Sequence, residues 1–381
     1  MSRFAIEYFF FALISNLGLF SLIADKSNLE LMKVIKHPKI SVTLGISTIT
    51  IAFIWFFGFE NRNINDFEGG LDANMQAIFF TMAALASIII LLLLNCVFRK
   101  GKSGTKIKRD MDMLRKPTYL ESFLQQLKSI WSSICLIING TKQTVSKTKL
   151  STGLGLSLFL AIGLQMTYLS SSRIAHWSNI TNKLNLNSII AYDESLTLSI
   201  NGLVGRSSRI DSIMSVFASD YFFPVIFALC LMGIWFSGFG EKNRAINQQG
   251  VIFSIISLAL VNWIVFVINA YLFRPRPFEN HQVNLIFYKA TDSSFPSNAL
   301  AVLFAISIAI LIMNRRYGII SIIFSVIYGI SRIYVGVHYP LDIISALILG
   351  IIAAGIVSYI GRLIYPIPLT VIKLLRVFSL A

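Results

Sequence analysis

The sequence predicts an all-α protein, a polytopic helical membrane protein with about nine transmembrane helices, and three observations carry that prediction. Of the 381 residues, 55% are hydrophobic and 13% charged, and the mean hydropathy is +0.71, too apolar for a water-soluble domain. The apolar residues fall in continuous runs close to the ~20 residues that cross a bilayer. The positive charge is concentrated in alternate loops, as membrane orientation requires.

The runs occupy 8–24, 41–58, 77–98, 151–170, 212–236, 251–273, 297–313, 318–335 and 343–360. The first follows Glu7 and is short for a span. It is nevertheless longer than the apolar core of a secretory signal, and no small-x-small cleavage site follows, so it reads as retained. The runs 77–98 and 251–273 carry no charge and cross unaided. The run 297–313 opens on a polar Ser297-Asn298 pair. None alternates with a period of two, which excludes a β-barrel.

Orientation follows from the loops. Segment 99–149 holds twelve Lys/Arg against three acids, nine of the fifteen net positive charges, and is expected on the cytoplasmic side. Counting spans places 25–40, 237–250, Arg315-Arg316 and the tail with it, and puts 59–75, 171–211, 274–296 and 331–342 outside. The formal charge of +15 is therefore topological and implies no nucleic acid. Within the basic loop Leu120, Phe123, Leu124, Leu127, Ile130, Trp131, Ile134 and Ile138 recur at helical spacing. They suit either an amphipathic helix on an anionic membrane surface or a helix packed under the bundle. The expected organisation is N-terminal helices over 1–98, the basic loop over 99–149, a fourth span with its outer loop over 150–190, a membrane domain over 191–365 and a tail over 366–381. Cys96, Cys135 and Cys230 lie in or beside apolar stretches and form no disulfide framework or metal-ligand spacing. No cluster of carboxylates or histidines offers a cation cage, so neither metal nor cofactor is expected.

The chemistry gathers on the outer loops of the second half. Arg274-Pro275-Arg276-Pro277-Phe278 comes first, then Asp292-Ser293-Ser294-Phe295-Pro296-Ser297, then Ser331-Arg332, His338 and Asp342. Polar groups at a membrane boundary are expensive, and three such segments on one face mark a site. Arg276 and Arg332, with Arg274 beside them, are planar donors suited to phosphate oxygens. Ser297 and Pro340 open two helices whose unpaired N–H groups would point at the same anion. His338 and Asp342 stand four apart, on one helical face. A carboxylate there fixes the imidazole tautomer and leaves the other nitrogen free to attack phosphorus. Asp220 and Tyr221, inside an apolar run, either line the same pocket or sit hydrated at the interface. His37 and His176 read as plain loop residues, and Asn179-Ile180-Thr181 fits a glycosylation acceptor in a eukaryotic secretory route.

The spacing Ser331-Arg332, five residues, His338, three residues, Asp342 resembles the third signature motif of the type 2 phosphatidic acid phosphatase superfamily. Arg276-Pro277 resembles the end of its first motif and Phe295-Pro296-Ser297 the start of its second. With His281, Val283-Asn284-Leu285 and the stretch Ile200-Asn201-Gly202 to Asp211, residues 195–362 look most like bacitracin-resistance-type undecaprenyl-diphosphate phosphatases. The resemblance implies a C-terminal phosphatase-like helical bundle that hydrolyses a lipid phosphate or diphosphate in a bacterial inner membrane, with its site on the periplasmic face. It implies His338 as nucleophile, Asp342 as its orienting partner, and Arg276, Ser297 and Arg332 as the phosphate cradle, with Arg274 and Ser331 as further contacts. Two positions depart. Asn269 stands where the first motif has a lysine, and Ala299 where the second has the histidine that protonates the leaving group.

An alkoxide leaving group needs that acid, worth ~10²–10⁴-fold. A phosphate monoester leaves more readily, so surviving activity is expected to favour diphosphates. His281 is the expected substitute for the missing histidine. Two alternatives stay open: a phosphatase fold that binds lipid phosphate, or serves a membrane complex through residues 1–190, without turnover; and a lipid phosphotransferase.

Overall fold

The computed structural model describes residues 2–27, 32–35, 37–65, 68–98, 175–238 and 241–363. The expected span 151–170, the amphipathic helix of the basic loop and the tail lie outside the described residues. The rest is helical. The N-terminal unit is α1 (Arg3–Lys26), α2 (Pro38–Gly58) and α3 (Ala73–Phe98). After α4 (Trp177–Lys183) and α5 (Asn187–Asn201) come α6 (Ser208–Phe217), α7 (Phe222–Phe236) and the long α8 (Glu241–Tyr271). The short α9 (Pro277–Asn280) precedes α10 (Asn298–Met313), α11 (Arg315–Tyr334) and α12 (Pro340–Leu363). Two dipeptide strands, β1 (Ala175–His176) and β2 (Leu272–Phe273), pair in parallel and tie α4 to the end of α8.

Among the described residues α1, α2, α3, α8, α11 and α12 are long and apolar enough to cross a membrane. The chain is an integral membrane protein. The run 212–236 does not form one straight helix: α6 and α7 meet at a 50° bend around Ser219-Asp220-Tyr221. The outer segment 171–211, expected as loop, contains α4 and α5. At 16 residues α10 is about 24 Å long, short of a hydrocarbon core of ~30 Å.

That short helix is the centre of the C-terminal bundle, packed on α8, α11 and α12. Leu300, Leu303, Phe304, Ile306 and Ile310 are all buried there. Helices in lipid gain little from apolar burial and associate through close packing and interhelical hydrogen bonds. α12 accordingly presents Ala346, Gly350, Ala353, Ala354 and Val357 inward. A Cβ on Gly350 would lie 2.8 Å from Phe304 Cβ and 2.9 Å from the Ala305 nitrogen, so the two backbones nearly touch. Ser307 and Ser325 hydroxyls join α10 to α11 at 3.1 Å.

The N-terminal unit packs on α7. Phe4, Tyr8, Phe11 and Phe56 form one buried aromatic cluster with Tyr221, Val225 and Leu229. Phe11 and Phe56 stack with centroids 4.4 Å apart. The Leu71 N–H donates to the Tyr221 hydroxyl at 2.8 Å, and Ser27 Oγ donates to the Phe236 carbonyl at 3.0 Å. Buried Arg62 joins Glu7 at 2.5 Å while its guanidinium lies 4.5 Å from the Phe56 ring centre.

Candidate active site

The turn between α11 and α12 holds the centre of the site. Gly336 sits at φ +85°, a conformation side chains disfavour, and a Cβ there would meet Asn201 Nδ2 at 3.2 Å. Asn201 Nδ2 also donates to the Tyr334 carbonyl at 2.9 Å, and its Oδ1 accepts from the Asn284 N–H at 2.8 Å, fixing the turn. His338 follows and is 2% exposed.

The surroundings define the imidazole. Nδ1 lies 3.1 Å from the Ser294 carbonyl oxygen, which only accepts, so Nδ1 carries the proton. Nε2 is then the lone-pair nitrogen, 3.1 Å from Ser297 Oγ, whose hydroxyl donates to it. Asp342 Oδ2 is 3.5 Å from Nδ1, beyond a good hydrogen bond. The carboxylate instead accepts from Ser294 Oγ at 2.5 Å and the Tyr339 N–H at 2.8 Å. Asp342 therefore reaches the ring partly through Ser294, whose carbonyl is the nearer partner. Burial first, then the charges of Arg276 and Arg332, lower the His338 pKa to about 4, so the ring is neutral at pH 7.

Arg276 ties three segments together. Its Nε donates to the Asp292 carbonyl at 3.0 Å, Nη1 to the Val337 carbonyl at 3.1 Å, and Nη2 to the Asp292 carboxylate at 2.7 Å. Arg332 donates through Nη1 to the Ala218 carbonyl at 2.9 Å and to Asp220 Oδ1 at 3.0 Å. Its Nε is buried with no hydrogen-bond partner. The bend between α6 and α7 is thus what brings Asp220 to Arg332. Asp220 also accepts from Tyr288 at 2.6 Å and from Tyr328 at 3.3 Å.

These groups open onto one cavity of about 570 Å³, lined at its polar end by Arg276, Asp292, Ser297, Arg332 and His338, with Asp220, Asn298 and Ala299 beside them. Its remaining wall is largely apolar and runs between helices. Arg276, Ser297, Arg332 and His338 are brought together as the sequence suggests.

Arg274 is not on this lining. Its guanidinium is 2% exposed and held between Asp193 at 2.5 Å and Asp342 at 2.7 Å, with Tyr339 and Trp177 rings against it at 3.9 and 4.7 Å. Both arms are spent on carboxylates, so it braces Asp342 and is not a phosphate contact. Ser331 is fully buried, its hydroxyl given to the Tyr328 carbonyl at 2.7 Å. His281 lies off the cavity, 3.7 Å from Glu194 and edge-on to Tyr339, so it is not placed to replace the missing histidine. Asn269 also lies off the lining, with its amide oxygen buried and unpartnered. The start of α12 is not a free anion site either, because the Leu341 N–H donates to Asp193 and the Tyr339 N–H to Asp342, both at 2.8 Å. Asp193 and Ser294 were not singled out by the sequence. Asp193 is one of two adjacent acids on α5, 81 residues from Arg274, and only its burial separates it from Glu194.

A buried neutral histidine with one nitrogen pinned and the other facing a pocket lined by two arginines, in a helical membrane protein, is an arrangement suited to phosphate chemistry. Residues 250–364 match the PAP2 superfamily. The chain is 36% identical to undecaprenyl-diphosphatase BcrC of Bacillus subtilis over 167 residues, 44% of this chain and 83% of that protein. It is 28% identical to an undecaprenyl-diphosphatase of Sulfolobus acidocaldarius, over 51% of this chain and 84% of the relative. Among solved structures it is similar to a PAP2-type phosphatidylglycerolphosphate phosphatase of Bacillus subtilis, with a TM-score of 0.38 and 16% identity over 54% of this chain and 97% of the other. The chain belongs to the PAP2 superfamily and is a membrane phosphatase of that type.

Proposed function

We propose that the protein hydrolyses an isoprenoid diphosphate lipid of the undecaprenyl diphosphate class through a phosphohistidine. The observation that carries this is the His338 ring, with Nδ1–H held by the Ser294 carbonyl and Nε2 facing the cavity beside Ser297. Nε2 attacks the terminal phosphorus, the P–N bond forms, and the bridging P–O bond breaks to release the prenyl monophosphate. Positive charge then resides on the imidazole, next to Ser294 and Asp342. Water cleaves the P–N bond and returns neutral His338 and inorganic phosphate. Arg276, Arg332 and Ser297 bind the terminal phosphoryl oxygens, and the unpartnered Nε of Arg332 is a donor in reserve for them.

The diphosphate is favoured over a monoester because Ala299 offers no acid to an alkoxide, whereas a phosphate monoester leaves without one. The names of the relatives point the same way. The basic loop and the outer position of the motifs support a site on the extracytoplasmic face of a bacterial inner membrane. Residues 1–190 would carry any membrane-complex partners.

The test is phosphate release from undecaprenyl diphosphate and from phosphatidic acid by the purified protein and by His338→Ala. Release from the diphosphate that vanishes in the variant is expected. The replacement of the acid histidine by Ala299 favours one competing reading, a lipid-phosphate binder without turnover. Equal background release by both proteins, with diphosphate binding retained, would establish that reading instead.

A further inference from the structure

Resting on the diphosphatase reading, we propose that α3, which lies outside the region matched to the family, is the wall that grips the substrate's prenyl tail and sets the preference for chain length. The cavity that begins at His338 does not end in the C-terminal bundle. On one side it is bounded by Pro224 and Ala228 of α7, Leu258 of α8, and Val302 and Ile306 of α10. On the other it is bounded by Ala73, Asn74, Gln76, Ala77, Phe80 and Thr81 of α3 and by Tyr8 of α1.

Ala73, Ala77, Phe80 and Thr81 fall at i, i+4, i+7 and i+8 on one face of α3, flanked by Asn74 and Gln76, and eight residues at 1.5 Å rise extend it about 12 Å along the helix. The wall therefore continues well past the polar cup. Its chemistry changes along the way. The cup presents guanidinium, carboxylate, hydroxyl and imidazole groups, and the rest of the lining is mostly alanine, leucine, valine, isoleucine and phenylalanine, with Asn74, Gln76, Thr81 and Asn262 among them. One amphiphile with a diphosphate head and a hydrocarbon chain satisfies both halves of one continuous space.

α3 is held there by its own fastening. The Tyr221 hydroxyl, next to Asp220 in the bend, accepts from the Leu71 N–H at 2.8 Å just before α3 begins, and Asn63 donates to Ser215 Oγ at 2.9 Å. The aromatic cluster of α1 and α2 then clamps the unit to α7. Small side chains at Ala73 and Ala77 leave the tail its room, and a large one would fill it.

The experiment compares Ala77→Trp with Ile78→Trp in the full chain. Ile78 is half exposed on the neighbouring face of α3 and does not line the cavity. Phosphate release is measured from undecaprenyl diphosphate and from isopentenyl diphosphate, which has the head group but almost no tail. Ala77→Trp is expected to raise KM for the long substrate by about tenfold or more while moving that for the short one by less than about twofold. Ile78→Trp should match the unaltered protein with both. Equal effects of Ala77→Trp on both substrates, or none on either, would overturn the wall. If the unaltered protein releases phosphate from neither, the diphosphatase reading has failed, and the wall is judged by binding of a methylene-bridged undecaprenyl diphosphonate. Weaker binding by Ala77→Trp than by Ile78→Trp upholds it, and equal binding overturns it.

Discussion

In the proposed mechanism His338 attacks phosphorus only while Nε2 carries a lone pair, so its protonation would set the acid limit of the reaction. The ordinary histidine value lies near 6.5, and burial with the two arginines lowers it to about 4. A lowered value means that the neutral ring survives acidification, so kcat/KM should stay level from pH 7 to pH 5 and fall only as pH approaches 4. A descending limb centred near 6.5 would contradict the buried, pinned ring. Stability moves with the same sign. Between those two values the unfolded chain binds the proton that the folded chain refuses, so this group's contribution falls as pH drops through that window. Ala299 supports a second prediction. It already lines the cavity, and Ala299→His should raise phosphatidic acid turnover by about 10²-fold or more while changing the diphosphate rate much less. Comparable gains on both substrates would mean that leaving-group protonation is not what the site lacks. Arg274 differs in kind from Arg276. Arg274→Ala leaves Asp193 and Asp342 as buried, uncompensated charges, which costs about 3–5 kcal/mol and should appear as a large drop in Tm in detergent. The pattern of the sequence could not separate the two arginines. They are two residues apart in one polar segment, and only the fold decides which guanidinium meets carboxylates. The role of the Ser294 carbonyl was equally hidden, because a backbone acceptor leaves no mark on composition, whereas the His338–Asp342 spacing was plain.

Helix packing decides how well those side chains are aimed. Ser297 stands at the head of α10 and His338 just before α12, so the 3.1 Å contact between them depends on how closely the two helices approach. Gly350 sets that approach. Gly350→Leu would drive a side chain into Phe304 and the backbone of α10, a clash of the kind that costs about 1–3 kcal/mol. The expected result is a lower Tm together with a reduced kcat. Gly355→Leu, on the same helix with open space around the added carbon, should change neither. Matching losses in the two variants would show that helix chemistry, not the α10–α12 contact, is responsible. At this scale the helices themselves were legible, since continuous apolar runs of span length have few other uses. The bend between α6 and α7 was not. Its signal is the tripeptide Ser219-Asp220-Tyr221 in an otherwise apolar run, and a single acid there is equally compatible with a straight helix carrying a hydrated side chain. Contact with Arg332, 112 residues away, is what makes the break profitable, and pairing at that distance is invisible to a local pattern.

Across the whole molecule, the cavity and a second set of cations occupy opposite helix ends. The cavity draws on the start of α3, the start of α10, the end of α11 and the turn before α12. Besides the arginines of the site, cations lie at the other termini: Arg244 near the start of α8, Arg315 and Arg316 at the start of α11, and Arg362 at the end of α12. The short α10 follows from the same arrangement. Its ~24 Å length is about 6 Å short of a ~30 Å core, so a helix that reaches one interface, where Arg315 follows its C-terminus, would leave Ser297 recessed from the other. A site recessed by that amount meets a lipid head group without lifting the chain out of the bilayer. The N-terminal helices were readable as spans but not as part of the cavity, because the alanines, threonine and phenylalanine of α3 that face it resemble a lipid-facing set, and Asn74 and Gln76 beside them read as an ordinary polar helix start. Sidedness is the property on which the proposed substrate access rests, and it is open to direct measurement. In a cysteine-free background, Asn61→Cys, exposed in the loop before α3, should react with a membrane-impermeant maleimide on intact cells. Arg316→Cys, exposed at the start of α11 away from the cavity, should react only after the membrane is permeabilised. The opposite pattern would turn the cavity toward the cytoplasm, leaving the positive charges on the wrong side of the membrane, and the substrate would then have to arrive from the inner leaflet.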